Sequence, residues 1–197
     1  MIERFELGQP DWATAELAKL PDRFPGVEER MAAVIHFSKQ NIEHDTGGPF
    51  AAGVFESISG RLVTIGVNRV VHHNCSSAHA EVMALSLAQQ TLGTFDLGAS
   101  KMPEHQLVVN WRPCAMCYGA LVWSGVRSLV IAGSGPELED ITGFDEGPIH
   151  PDWRRQLEQR GIQVTDNVMT DAALDVFKQF RDSGALVYNG REGDSVA

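Results

Sequence analysis

Apolar positions along this chain switch repeatedly between helical spacing and short continuous runs. From Val27 to His44, Met31, Val34, Ile35 and Ile42 recur at near-helical intervals, which predicts an amphipathic helix that Gly47-Gly48-Pro49 ends. Before it, Pro10, Pro21 and Pro25 punctuate residues 1–26, an N-terminal arm with one short helix around Asp11–Leu20. Phe50–Ser57 and Arg61–Asn68 are β-rich runs about Ser59-Gly60, a hairpin signal. Ala78–Gln90 reads as a helix with Ser76 or Ser77 as N-cap and its end near Gly93. His105–Asn110 is a short apolar strand, and Pro113 suits the first position of a helix over Cys114–Ser124. Arg127–Ala132 reads as a buried strand and Ser134–Pro151 as a long loop rich in Gly, Pro and acidic residues. Asp152–Arg160 as helix, Ile162–Val164 as strand and Asp171–Arg181 as a last helix complete the domain at 27–183. Residues 184–197 form a polar tail. A hairpin followed by alternating helices and strands predicts an α/β fold, three layers α/β/α about a mixed five-stranded sheet.

Composition narrows the function classes. With 197 residues, 43% of them hydrophobic and 21% charged, the chain suits one globular domain. The net charge is −10, and beyond Arg154-Arg155 no basic residues cluster, which argues against a nucleic-acid partner. No run approaches the ~18 apolar residues of a membrane span, and the N-terminus lacks a charged-then-apolar leader, so a soluble cytoplasmic protein without membrane contact is expected. Three Cys, two of them in one C-x-x-C, do not make a disulfide framework. Cys75, His72, His73 and His105 read as surface or core residues.

The chemistry concentrates in His79-Ala80-Glu81 and Pro113-Cys114-Ala115-Met116-Cys117. One His and two Cys, all at helix starts, are three ligands for a Zn2+ whose fourth position stays open for water or substrate. Cysteines three apart on a helix share a face, and the helix N-terminus favours their thiolates. Glu81 is a poor fourth ligand but is placed to move protons, and His-x-Glu with Pro-Cys-x-x-Cys is the zinc-deaminase pattern. A structural zinc site would call for a fourth Cys or His, and a redox pair has no need of His79 and Glu81.

On these motifs the chain resembles the cytidine-deaminase-like superfamily over roughly residues 27 to 180. Within it Gly47-Gly48-Pro49-Phe50, Gly66-Val67-Asn68, Trp123 in Gly119-Ala120-Leu121-Val122-Trp123, and Gly143-Phe144-Asp145-Glu146 look most like bacterial guanine deaminases. The resemblance implies that Asn68 reads the purine, Phe50 stacks on it and Trp123 lines the pocket. It makes Glu146 a proton shuttle to the departing amine, although the family has Asp there, which leaves Asp145 as a rival. It also implies a homodimer in which a tail aromatic, here Tyr188, caps the partner's pocket. The arm and the tail are longer than the family's pattern. The function implied is zinc-dependent hydrolytic deamination of a free base, guanine to xanthine and ammonia, with triazines such as ammeline as secondary substrates. The alternatives are a cytosine or cytidine deaminase, a tRNA adenosine deaminase, and a zinc-bearing scaffold without turnover.

Overall fold

The computed structural model describes residues 3–191. Its elements run α1 (Asp11–Leu17), α2 (Val27–Glu43), β1 (Ala51–Glu56), β2 (Leu62–Val67), α3 (Ala80–Leu92), β3 (His105–Val109) and α4 (Ala115–Ser124). Then follow β4 (Ser128–Ile131), α5 (Glu137–Thr142), α6 (Trp153–Glu158), β5 (Gln163–Thr165) and α7 (Thr170–Ser183). The sheet is five-stranded and mixed, in the order β2-β1-β3-β4-β5. β1 is antiparallel to β2 and to β3, whereas β3, β4 and β5 are parallel.

Side-chain alternation splits the core between the two faces of the sheet. Val108 and Val130 point to one side, where Met31, Val34 and Phe37 of α2 meet Phe177 and Phe180 of α7. Leu107, Val109, Leu129 and Ile131 point to the other, against Ala84 and Leu85 of α3 and Leu121 of α4. Each fully buried Phe, Met or Leu in these layers contributes roughly 1.5–3 kcal/mol. The three-layer expectation therefore holds. The N-terminal segment is packed on this core: Ala13 is buried in it, and Trp12 lies 5.7 Å from Phe37 and stacks on His44 at 5.0 Å. Among the described residues no helix is long and apolar enough to cross a membrane.

Three local expectations are corrected. Residues 134–151 are not all loop, because Glu137–Thr142 forms α5, ended by Gly143 in the left-handed conformation. Neither Ser76 nor Ser77 caps α3; both lie in the turn closed by Ala78 N–H on Cys75 O, and His79 is the N-cap. Pro113 stands one residue before the N-cap of α4, which is Cys114. Both zinc-motif helices thus begin on a ligand residue in extended conformation.

Candidate active site

The end of the sheet at which β1 starts and β2 and β3 finish collects the functional side chains. Phe50 precedes β1, Asn68 follows β2, and Asn110 and Trp111 follow β3. The helices that enter from this end, α3 and α4, bring His79, Glu81, Cys114 and Cys117 at their first turns. Gly66 allows the approach of α3, since a Cβ there would lie 2.4 Å from Ala84 N.

His79, Cys114 and Cys117 present ligand atoms all within 4.8 Å of one another. The Cys114 Sγ to His79 Nδ1 separation is 3.6 Å. Zn–S and Zn–N bonds of ~2.3 and ~2.0–2.1 Å at tetrahedral angles imply a spacing of about 3.6 Å, so the donor set fits zinc in both chemistry and size. The protein groups polarise one another strongly. Cys117 beside it holds the Cys114 thiol down at about 4 against the effect of burial, and His79 assists. Cys117 itself is pushed up, by the Cys114 sulfur, by burial and by the charge of Glu81. His79 is raised: burial pulls it down, but the hydrogen bond to Cys114 and the Glu81 carboxylate outweigh that.

Glu81 is buried, 6% exposed, and its carboxyl is raised by burial and by the nearby Cys114 sulfur. Glu146 faces it from the loop after α5 and is raised to about 8 by burial, by Cys114 and by Glu81. The backbone carries Glu146 to this place: its carbonyl accepts the Ala115 N–H at 3.0 Å, which fastens the loop to the first turn of α4. Asp145 goes the other way. It is exposed and spends its carboxylate on the Gly147 N–H at 2.8 Å.

Phe50, Asn68, His79, Glu81, Val109, Trp111, Arg112 and Glu146 line a single pocket. Asn68 is fully buried; its Oδ1 accepts the Val70 N–H at 3.3 Å, which leaves Nδ2 without a protein partner. The Tyr188 hydroxyl is buried beside that amide, and neither group makes a hydrogen bond of ordinary geometry. Tyr188 packs against Phe144 of its own chain at 4.8 Å, and Phe144 in turn meets Phe50 at 5.2 Å. Asn189 ties the tail to the acidic loop, donating to Gly143 O at 3.0 Å and accepting from Asp145 N at 2.9 Å. Residues 192–197 of the tail lie outside the described residues.

Trp123 is not part of the pocket. It stands 87% exposed on the outer face of α4, because the helix turns that position away from the sheet. The tryptophan in the wall is Trp111, 2% exposed and held by its indole N–H on Gly135 O at 3.2 Å. Sequence reasoning missed Trp111 and Arg112. The available signal was position, directly after an apolar strand and directly before the Pro-Cys of the zinc motif. His105 is a core residue bonded to Leu97 O at 2.8 Å, as expected, and Cys75 is half-buried with its sulfur 3.2 Å from Ser77 Oγ.

Known proteins resemble this chain over most of its length. The guanine deaminase from Nitrosomonas europaea superposes with a TM-score of 0.87 at 44% identity, covering 92% of this chain and 98% of that one. A structure solved in complex with 2,6-diaminopurine gives a TM-score of 0.87 at 45% identity, over 94% of this chain and 97% of that one. The guanine deaminase of Bacillus subtilis is 28% identical over 143 residues, 73% of this chain and 86% of its own length. The profile of the cytidine and deoxycytidylate deaminase zinc-binding region matches residues 27–133, a span that holds all three ligands and Glu81. Donor set, buried carboxylate, fold and profile agree, and the chain belongs to the zinc-dependent cytidine and deoxycytidylate deaminase family.

Proposed function

We propose that this chain hydrolyses guanine to xanthine and ammonia at the centre formed by His79, Cys114 and Cys117. The observation that carries this reading is the pocket itself, in which the ligand cluster, the buried Glu81 carboxyl, the half-buried Glu146 carboxyl and a free amide donor face the same small space. Similarity supports the choice of base, because related structures were solved with 8-azaguanine and with 2,6-diaminopurine. Asn68 Nδ2 donates to an acceptor on the purine, and Phe50 and Trp111 form the apolar walls. The rings of Phe144 and Tyr188 pack at 4.8 Å beside Phe50 and narrow the approach to the pocket, which favours a free base over a nucleoside.

A zinc ion held by these three side chains supplies the Lewis acid that makes water nucleophilic near neutral pH. Glu81 accepts a proton from the attacking water and returns it to the ring nitrogen next to the carbon under attack. Burial raises its proton affinity, which suits a group that must both take and give. Glu146, whose proton affinity is raised by burial and by the neighbouring Cys114 and Glu81, hands its proton to the departing amine and recovers one from the new hydroxyl. The C–O bond forms, the C–N bond breaks, and ammonia leaves. The enzyme acts as a homodimer in which the tail helps to close the pocket.

The test is ammonia release on a panel of guanine, guanosine, adenine, cytosine, cytidine and ammeline. Guanine is turned over fastest, ammeline slowly, and adenine poorly, since exchanging an acceptor for a donor leaves buried groups unpaired at ~1–3 kcal/mol each. In the same assay Glu81→Gln keeps stoichiometric zinc and loses at least ~10²-fold in turnover. Faster turnover of cytosine or cytidine overturns the substrate, and near-parental activity of Glu81→Gln overturns the proton route.

A further inference from the structure

Asn68 and Phe50 stand on two backbone segments joined by the Asn68 N–H on Phe50 O, and that pair is fastened from the N-terminal segment. The Trp12 indole N–H donates to Thr46 Oγ1 at 2.9 Å, and Thr46 Oγ1 donates onward to Asn41 Oδ1 at 2.8 Å. With its oxygen engaged, the fully buried Asn41 directs Nδ2 to Gly48 O at 2.8 Å and to Asn68 O at 3.0 Å. Gly48 O also accepts the Phe50 N–H, and Phe50 O accepts the Asn68 N–H. The Thr46 carbonyl is held separately by Arg69 Nη1 at 2.7 Å. Gly47 lets the loop close this tightly, since a Cβ there would sit 2.0 Å from Asn68 O. Gln9 adds a brace on the free edge of β2 by accepting the Val67 N–H, one residue before Asn68.

We infer that Trp12 and Thr46 are positioning residues for base recognition: the relay Trp12–Thr46–Asn41 sets where Asn68 and Phe50 stand against the purine. Neither Trp12 nor Thr46 lines the pocket, so any effect on the base must pass through the relay. A polar chain in which each buried member is satisfied has one stable arrangement, and loss of a link frees the carbonyls it holds. Binding, more than chemistry, depends on that arrangement, because the ligand cluster and Glu81 are carried by α3 and α4 instead. The inference rests on Asn68 as the base-reading residue.

The experiment compares Thr46→Val, which keeps shape and loses the hydroxyl, with Thr46→Ser, which keeps the hydroxyl, alongside Trp12→Phe. Thr46→Val and Trp12→Phe raise the KM for guanine and the Kd for 8-azaguanine by ~3–10-fold, the effect of one neutral hydrogen bond, with kcat within about twofold. Zinc stays stoichiometric, and Thr46→Ser behaves as the parent. In an Asn68→Ala background Trp12→Phe weakens binding by less than it does in the parent, because only the part of the effect that passes through Phe50 remains. Parental KM and Kd in Thr46→Val and Trp12→Phe overturn the relay, as does Thr46→Ser failing like Thr46→Val. Loss of zinc and of kcat in step with KM also overturns it, because that marks general support of the fold. Asn68→Ala with parental KM and Kd would instead remove the base-reading role, whereas weakened binding in Asn68→Ala beside a parental Thr46→Val rejects the relay alone.

Discussion

Asp145 and Glu146 are adjacent acids whose surroundings assign them different work. Asp145 is exposed and closes a turn on Gly147, whereas Glu146 is raised to about 8 by burial and by the charges of Cys114 and Glu81. Glu146→Gln should therefore slow guanine turnover by ~10²-fold or more, the scale of general acid–base catalysis, and Asp145→Asn by far less. Equal losses in steady-state assays would dissolve the distinction. The same shift has a signature in the metal-stripped protein. The folded pKa of Glu146 lies above its ordinary value of 4.5, so its contribution to stability is full below about 4.5 and is lost as pH rises through about 8. Glu146→Gln should gain in Tm relative to the parent steadily across that window, and a constant difference would refute the shift. At this scale the zinc ligands and Glu81 were legible because their geometry is local, set by spacing at helix starts. The wall residue was not. Trp123 and Trp111 are separated by which way a side chain faces, and only the docking of α4 on the sheet decides that.

Helix α3 reaches the site because strand β2 has no side chain where the two cross. Gly66 lies under the second turn of α3, with Ala84 N and Ala80 O both within 3 Å of where a Cβ would stand. Gly66→Ala must push the helix off the sheet, with overpacking that costs about 1–3 kcal/mol, and with it His79 and Glu81 at the helix start. A lower urea midpoint together with weaker zinc retention is the expected outcome; unchanged retention would mean that the ligands are held by their own loops. Most elements were legible in the pattern, because α2 and α7 bury one face at helical spacing, whereas β1, β3 and β4 are buried on both faces and read as short continuous apolar runs. What the pattern did not carry is equally physical. Helix α5 spans six residues, too short for a periodic signal within an acidic loop. The starts of α3 and α4 departed from the expected caps because ligand residues hold those positions in extended backbone, a requirement of the site and not of the helix. The Trp12–Thr46–Asn41 chain joins the N-terminal segment to the end of α2 and the loop after it, and has no sequence period at all.

At the level of the whole molecule, the tail and the outer face of α4 bear on assembly. The chain carries a net charge of −10, yet Phe95 and Trp123 stand 88% and 87% exposed on one side, with half-exposed Met116 also on α4. Large exposed apolar side chains grouped on an otherwise charged surface mark a contact face, and the homodimer proposed above would cover this one. Trp123→Glu should then shift sedimentation from dimer to monomer while zinc stays bound, since its side chain is far from the ligand cluster; a dimer as tight as the parent's would place the interface elsewhere. The tail answers a separate question. Tyr188 and Asn189 touch the aromatic lining and the acidic loop, and neither belongs to the ligand cluster. Deleting residues 184–197 should raise the KM for guanine and leave zinc content intact. Mixing that deletion with a full-length Glu81→Gln subunit then tells how the tail is shared. Each subunit alone is impaired, and only a tail that serves the neighbouring pocket can restore turnover in the mixed dimer, where an intact Glu81 meets a borrowed Tyr188. Recovery of activity on mixing is the outcome expected of an exchanged tail, and its absence would assign Tyr188 to the pocket of its own chain.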